Sequence, residues 1–154
     1  IVISGRGTSS RYVPKQPPSL VGKSLPELKD FGIESLPDTN DKIVLVCFFD
    51  MESRASRHVV GKLIARADEP AGLGVSLVAV DLSGREAQVV LEWADARGYR
   101  PFVGAAGEDA DGVRSAWGVK GLPWLVLADK DHVVRAEGFS LTEVDDTVAG
   151  KPAQ

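Results

Sequence analysis

Two serines in one short stretch are the first residues whose spacing could do chemistry. Ser53 and Ser56 follow an apolar run and precede a pattern of helical spacing. Either hydroxyl could be a nucleophile if a base and an orienting group lay within hydrogen-bond reach. His58 is the nearest histidine, but five positions beyond Ser53 on a helix it would point away from it. The alternative is that Ser53 caps the helix while Glu52 favours the positive end of its dipole.

Two carboxylates form a second candidate site. Asp50 and Asp81 each end an apolar run that predicts a strand. Ligands of α/β proteins bind at the carboxyl ends of strands, so this pair could serve acid–base chemistry or a metal ion. The alternative is that both carboxylates cap strand ends. One cysteine, Cys47, and two distant histidines predict neither a disulfide nor a zinc site, and we expect no cofactor.

The elements that would position these residues follow from the apolar pattern. Residues 43–49 and 75–81 are nearly continuous apolar runs, which is typical of central strands covered on both faces. Helical spacing predicts one helix from about Ser53 and another over residues 83–99, with Ser83 as the cap of the second.

The second half of the chain predicts shorter elements. An extended piece over 101–105 and a short helix over 108–118 come first. Strands over 123–129 and 132–139 are separated by two residues and predict an antiparallel hairpin, which a short helix over 140–148 follows. Two strand–helix crossovers indicate parallel pairing at the centre, and the hairpin adds an antiparallel edge. We therefore predict an α/β protein, a three-layer α/β/α sandwich with a mixed central sheet.

Composition limits the partners and the number of domains. Of the 154 residues, 44% are hydrophobic and 26% are charged, as expected of one globular domain. The net charge is -4 without a basic stripe, so we expect no nucleic-acid partner, and no apolar stretch is long enough to span a bilayer. Gly, Ser, Pro and Arg in residues 1–19 predict a flexible arm or linker, residues 20–148 the domain, and residues 149–154 a tail.

Three stretches resemble one family. The order of elements resembles the thioredoxin fold, and the local sequence resembles its redoxin branch, the TlpA-type and AhpC/TSA-type proteins. "VGKSLPELK" is similar to the opening segment of that branch, and "KIVLVCFFDMESRASR" to the segment that carries its redox dithiol. "WGVKGLPWLVLADKDHVVRAEGF" is similar to the segment that contains the cis-proline of the fold. The resemblance covers roughly residues 20–146.

The resemblance implies a role for individual positions. Pro123 falls on the cis-proline, and a cis bond before proline costs far less than any other cis peptide. The two cysteines of the dithiol fall on Ser53 and Ser56, so that Ser53-Arg54-Ala55-Ser56 replaces C-x-x-C. A thiolate at a helix start is an attacking group at neutral pH, and a second thiol resolves the mixed disulfide. A serine hydroxyl does neither.

The resemblance therefore implies a redox-inactive binding or structural module of a larger protein, which takes a protein or peptide in a groove beside the proline. Its candidate binding residues are Glu52, Arg54, Arg57, Leu122, Pro123 and Trp124. One alternative is a TlpA-like thiol–disulfide oxidoreductase whose cysteines were changed to serine, and another is a serine- or metal-dependent enzyme. Glu52 favours natural loss, because a change of the cysteines alone would keep the tryptophan that the family has there. The resemblance also implies a bacterial periplasmic or other extracytoplasmic location.

Overall fold

The structure is a computed structural model that describes residues 19–26, 42–67, 75–99 and 102–149. The arm or linker expected over residues 1–19 and the tail expected over residues 149–154 lie outside these ranges, apart from Ser19 and Ala149. In the part of the chain that is described, no helix combines the length and the apolar character needed to cross a bilayer.

Five strands form one mixed sheet, in the order β3-β2-β1-β4-β5. The pairs β1–β2 and β2–β3 are parallel, whereas β1–β4 and β4–β5 are antiparallel. The mixed central sheet predicted from the sequence is confirmed. The strands are β1 (Val44–Phe49), β2 (Ser76–Asp81), β3 (Val103–Ala105), β4 (Trp124–Ala128) and β5 (Val134–Glu137).

Helices cover both faces of this sheet. Buried side chains of α1, α2 and α4 join the core on one face, and those of α3 join the core on the other, which confirms the three layers. Single 3₁₀ turns, Gly107–Asp109 and Leu141–Glu143, lead into the last two helices. The helices are α1 (Arg54–Ala67), α2 (Ala87–Ala96), α3 (Ala110–Ala116) and α4 (Val144–Val148).

Strand β1 is buried along its whole length, which explains its unbroken apolar sequence. Alternate side chains point to opposite faces of a sheet. Cys47 and Phe49 therefore join the core under α1, whereas Val46 and Phe48 join the core under α3. The Phe48 ring meets the edge of Trp117 with ring centroids 5.0 Å apart.

Helix α2 begins later than the sequence predicts, and Ser83 does not cap it. The residue at the N-cap is Glu86, whose side chain makes no capping hydrogen bond. Gly84 has a φ of 85°, a left-handed conformation that interrupts any helix starting at Ser83. The Ser83 hydroxyl donates instead to Asp81 at the end of β2, 2.7 Å away.

The predicted hairpin of β4 and β5 is confirmed, but its connection is longer than two residues. Residues 129–133 join the strands, and the Asp129 carboxylate accepts hydrogen bonds from the amides of Asp131 and Val133 at 2.9 and 3.1 Å. The bond from Val133 is the main reason why the pKa of Asp129 is lowered. His132 has a φ of 61° and therefore belongs to the turn rather than to the strand that it was predicted to start.

The segment of residues 19–26 runs along the outer edge of β5. The Gly22 amide donates to the carbonyl of Val134 at 2.8 Å, and the Val134 amide donates to that of Lys23 at 2.9 Å. The Glu137 carboxylate accepts from the Ser19 hydroxyl at 2.8 Å and from the next amide at 2.9 Å. Part of this edge strand is thereby covered, as edge strands commonly are.

Candidate functional site

The candidate site lies at the edge of the sheet where β1 and β2 end and β4 begins. Because β4 is antiparallel to β1, Phe48 pairs with Trp124 across the two strands. This register brings residues 50–53, the α1 turn, to the same edge as residues 121–123, the proline loop. Residues 82–86, the α2 loop, follow β2 at that edge as well. The fold thus brings together the two stretches that the sequence marked as candidate binding residues.

Ser53 caps α1, as predicted. Its hydroxyl oxygen accepts a hydrogen bond from the amide of Ser56 at 3.3 Å, and its carbonyl accepts from the amide of Arg57 at 2.9 Å. Its own amide donates to the carbonyl of Asp50 at 2.9 Å, which closes the α1 turn. The cap satisfies one of the amides that every helix leaves unpaired at its start.

Ser56 is quite different from Ser53, although the resemblance to the redoxin branch places both at dithiol positions. Its side chain is fully buried, and its hydroxyl oxygen has no hydrogen-bond partner within the described residues. Neither serine hydroxyl is hydrogen-bonded to a histidine or a carboxylate in that part of the chain. His58 is exposed on α1. The arrangement that would activate a serine nucleophile is therefore not formed among these residues.

The charged side chains around the α1 turn have specific partners. Glu52 forms an ion pair with Arg85 of the α2 loop at 2.6 Å. Its carboxylate therefore interacts with this arginine as well as lying near the start of α1. Arg57 donates to the carbonyl of Met51 at 3.0 Å, a hydrogen bond that links its side chain on α1 to the α1 turn. Arg54 is exposed and has no side-chain partner among the residues described. Of the two candidate arginines, Arg54 is thus the more exposed and makes no side-chain bond to the described residues, whereas Arg57 uses one of its donors on the turn.

The two strand-end carboxylates accept backbone hydrogen bonds. Asp50 accepts from the Glu52 amide at 2.8 Å, and buried Asp81 accepts from the Met51 amide at 2.9 Å. Burial is the largest influence on Asp81 and raises its pKa, against the lowering effect of its hydrogen bonds with Ser83. Across the described ranges, no group of three or more His, Cys, Asp or Glu side chains could hold a metal ion.

The proline loop forms the other side of the edge. The Leu122–Pro123 peptide bond is cis, and Leu122, Pro123 and Trp124 are each half-buried. The Trp124 ring lies against Gly138, where an added Cβ would come within 2.8 Å of the ring. Trp124 also packs on the core under α3, with part of the residue at the surface.

A cavity of about 420 Å³ adjoins this edge between the start of α2 and the turn after β3. Its lining includes Gly84, Ala87, Ala106 and two carboxylates, Glu86 and Glu108. Sequence reasoning missed this cavity, because nothing in the local pattern tells that these two segments meet.

Comparison with known proteins places the architecture. No protein-family model matches the chain, and no curated protein matches it. A thioredoxin-like protein from Parabacteroides distasonis has a TM-score of 0.63 at 11% identity, with 85% of this chain and 96% of that chain covered. The thioredoxin domain of a thiol-disulfide oxidoreductase from Bacteroides vulgatus has a TM-score of 0.60 at 18% identity, with 92% and 98% covered. The N-terminal domain of PilB from Neisseria gonorrhoeae has a TM-score of 0.59 at 13% identity, with 75% and 80% covered.

The chain has a thioredoxin-like fold. At these identities the likeness shows the architecture alone, so what this thioredoxin-like domain does must be argued from its own side chains.

The single cysteine in the sequence, Cys47, is neither accessible nor ionised as thiol chemistry requires. Cys47 lies in the middle of β1 with no exposed surface. Burial raises its pKa to about 12, so its thiolate is scarcely populated at neutral pH. Cys47 is therefore a packing residue of the core.

Proposed function

We propose that this thioredoxin-like domain is a redox-inactive module of a larger protein, and that it binds a protein or peptide segment across the α1 turn and the proline loop. The observation that carries the proposal is the pair of oxygens at the start of α1. Ser53 caps the helix and Ser56 is buried beneath it, where disulfide exchange would need two sulfurs.

The lone thiol supports the absence of redox chemistry. A disulfide reductase needs a thiolate that can reach its substrate. Cys47 is fully buried, and its pKa of about 12 keeps it protonated. No second sulfhydryl exists in the sequence to resolve a mixed disulfide.

The binding half of the proposal is supported by unpaired polar groups beside half-exposed apolar ones. The amides of Arg54 and Ala55, at the start of α1, have no acceptor in the described part of the chain, and the Arg54 side chain is exposed. Leu122 and Pro123 present apolar surface across the same edge. An extended segment could accept hydrogen bonds from one side and pack on the other.

Arg54 provides the sharpest test of this surface. With the whole chain as bait, Arg54→Glu should abolish capture of any partner that binds there. Lys62→Glu is the matched control, because Lys62 is also exposed on α1 but lies two turns away from the edge. Capture that survives Arg54→Glu and is lost with Lys62→Glu would place the partner elsewhere and contradict the proposal.

A second candidate is a thiol–disulfide oxidoreductase whose cysteines were replaced by serine. The relatives in fold favour it, since the Bacteroides vulgatus domain belongs to a thiol-disulfide oxidoreductase. The ion pair of Glu52 with Arg85 favours natural loss instead, because the residue at the family's tryptophan position has a partner of its own here. The natural coding sequence at positions 53 and 56 distinguishes them, as cysteine codons there would overturn the first proposal.

A further inference from the structure

A buried acid joins the α1 turn to the α2 loop. Asp81 ends β2 with no exposed surface, although burying a carboxylate without partners is costly. One of its oxygens, Oδ1, accepts from the Met51 amide at 2.9 Å. The other, Oδ2, accepts from the amide and the hydroxyl of Ser83 at 3.1 and 2.7 Å. The two oxygens thus hold two different segments of chain.

The same two segments are linked at two further points. Closer to the strands, the Leu82 amide donates to the carbonyl of Phe49 at 2.7 Å, as the parallel pairing of β1 and β2 ends. At the surface, Glu52 meets Arg85 in the exposed ion pair. Exposed ion pairs contribute little because solvent screens them, whereas buried hydrogen bonds to a charged group contribute more. Asp81 is therefore the buried part of the connection between the two loops, and the ion pair is its exposed part.

We propose that Asp81 is a positioning residue: its ionised carboxylate holds the α1 turn against the α2 loop, and loss of that charge loosens the junction and shifts the start of α1. The consequence for ligand binding rests on the function proposed above. The junction itself does not.

The electrostatic surroundings fit a group that can change its charge. Burial raises the pKa of Asp81, and the like charge of Asp50 raises it further, while the hydrogen bonds from Ser83 and Met51 lower it. The segments around Asp81 carry charged side chains of both signs, whereas β3 itself contributes only Val, Gly and Ala. These charged residues are Asp50, Glu52, Arg85, Glu86 and Glu108 in the loops and Arg54 and Arg57 at the start of α1.

The hydrogen bonds on the Met51 side and on the Ser83 side of Asp81 should respond differently to protonation of the carboxylate. A proton on Oδ2 would be donated to the Ser83 hydroxyl oxygen, which already accepts from the Arg85 amide at 3.1 Å. The Ser83 amide would then lose its acceptor, while the Met51 amide would still face Oδ1. Asp81→Asn reproduces this state, because its amide group offers one oxygen to Met51 and a donor to Ser83.

The sign of the pH effect follows from the raised pKa. At a pH between the ordinary aspartate pKa of about 3.9 and the raised pKa of Asp81 in the folded domain, Asp81 is still protonated in the folded domain but already ionised in the unfolded chain. The stabilising contribution of Asp81 is therefore fully present when the pH is below the ordinary aspartate pKa. It is lost as the pH rises through the raised pKa of the folded domain. The ionised junction is thus maintained at neutral pH at some cost in stability.

Amide chemical shifts test the junction directly on the whole chain. In a pH titration, the Met51 and Ser83 amides should shift with one common midpoint above the ordinary aspartate value, and this midpoint should vanish in Asp81→Asn. Asp50→Asn, which removes the neighbouring carboxylate, should keep it and move it downward. If Met51 and Ser83 do not titrate, or if they titrate unchanged in Asp81→Asn, the proposal is wrong.

Ser83→Ala provides an independent variant should Asp81→Asn fail to fold. It removes one hydrogen bond that lowers the pKa of Asp81, so the midpoint seen at the Met51 amide should move upward. An unchanged midpoint would overturn the proposal. The amide titration needs no ligand, so it is independent of the capture experiment. Titration can contradict the role of Asp81 while loss of capture in Arg54→Glu still supports the binding function. Conversely, titration can support the role of Asp81 while capture contradicts the binding function.

Discussion

The α1 turn and the proline loop are two halves of one sheet edge, and they differ in how closely they follow the redoxin pattern. The proline loop keeps the Gly-Leu-Pro sequence and has the Leu122–Pro123 bond in the cis form. Across the edge, Ser53 and Ser56 carry oxygen where the resemblance to the redoxin branch implies two cysteines, and Glu52 stands where it implies tryptophan. The proposed function therefore treats the backbone frame of a thioredoxin-like site and its redox chemistry as separable, because sulfur is needed only for the second.

Within the α1 turn, the two serines differ as well. Ser53 has a structural role as the helix cap, with its oxygen 3.3 Å from the Ser56 amide. Ser56 has none that the described residues reveal, since its buried hydroxyl lacks a partner. Ser53 is therefore suited to its position as a helix cap, whereas no polar role for the Ser56 hydroxyl is found within the described residues.

A thiol placed in the α1 turn should behave unlike the natural thiol in the core. In Ser53→Cys the helix start lowers the pKa of the new thiol, whereas Cys47 stays near 12. At neutral pH an aromatic disulfide reagent should label Cys47 at least about a thousandfold more slowly, from the thiolate fractions alone. Ser115→Cys, exposed near the end of α3, is the control and should react at an intermediate rate. Rapid labelling of the unmodified chain would contradict the buried position of Cys47.

The packing of the proline loop can be broken at Gly138. Gly138→Ala places a Cβ 2.8 Å from the Trp124 ring at a φ of 72°, so it should lower the free energy of unfolding by about 1–3 kcal/mol. Gly112→Ala is the control, because Gly112 lies in α3 and the added Cβ would meet no atom within 4 Å beyond its chain neighbours and the backbone of its own helix. It should be neutral or stabilising by up to about 1 kcal/mol in chemical denaturation. Equal effects of the two changes would contradict the observed packing.

Removing the helix cap should have a smaller effect. Ser53→Ala leaves the Ser56 amide without its acceptor and should lower the free energy of unfolding by about 1 kcal/mol. Ser53→Asp retains an acceptor at the cap, so denaturant unfolding should show most of the stability kept. If alanine and aspartate behaved alike, Ser53 would not be a cap.

The smallest expected effect has the opposite sign. Ser56→Ala removes a buried hydroxyl that has no described partner, and with it a desolvation penalty. The free energy of unfolding should stay unchanged or rise by up to about 1 kcal/mol in the same denaturation experiment. A clear loss of stability would show that the hydroxyl is hydrogen-bonded after all.

The sequence predicted the parts of this molecule that depend on local pattern. The apolar run of Val44–Phe49 specified a central strand, and Ser53 before a helical stripe specified a cap. It failed at Ser83, where one left-handed glycine delays the helix, and at His132, which the Asp129 turn draws into the connection.

Contacts between distant segments were beyond reach of the sequence. The pairing of Glu52 with Arg85 spans 33 positions, and that of Asp81 with the Met51 amide spans 30. No periodicity encodes such pairs, because they arise only when parallel strands end side by side. The sequence therefore marked Asp81 as a strand-end carboxylate but gave no sign that it joins two loops.

The proposed edge has a thioredoxin-like frame without thiol chemistry, and insulin reduction in the presence of a thiol reductant measures that chemistry. The unmodified chain should show no turnover above the reductant alone, whereas Ser53→Cys combined with Ser56→Cys should restore measurable turnover. The double change combined with Cys47→Ala should be equally active, since Cys47 is buried. Turnover by the unmodified chain would show that it has thiol chemistry and would overturn the proposed function.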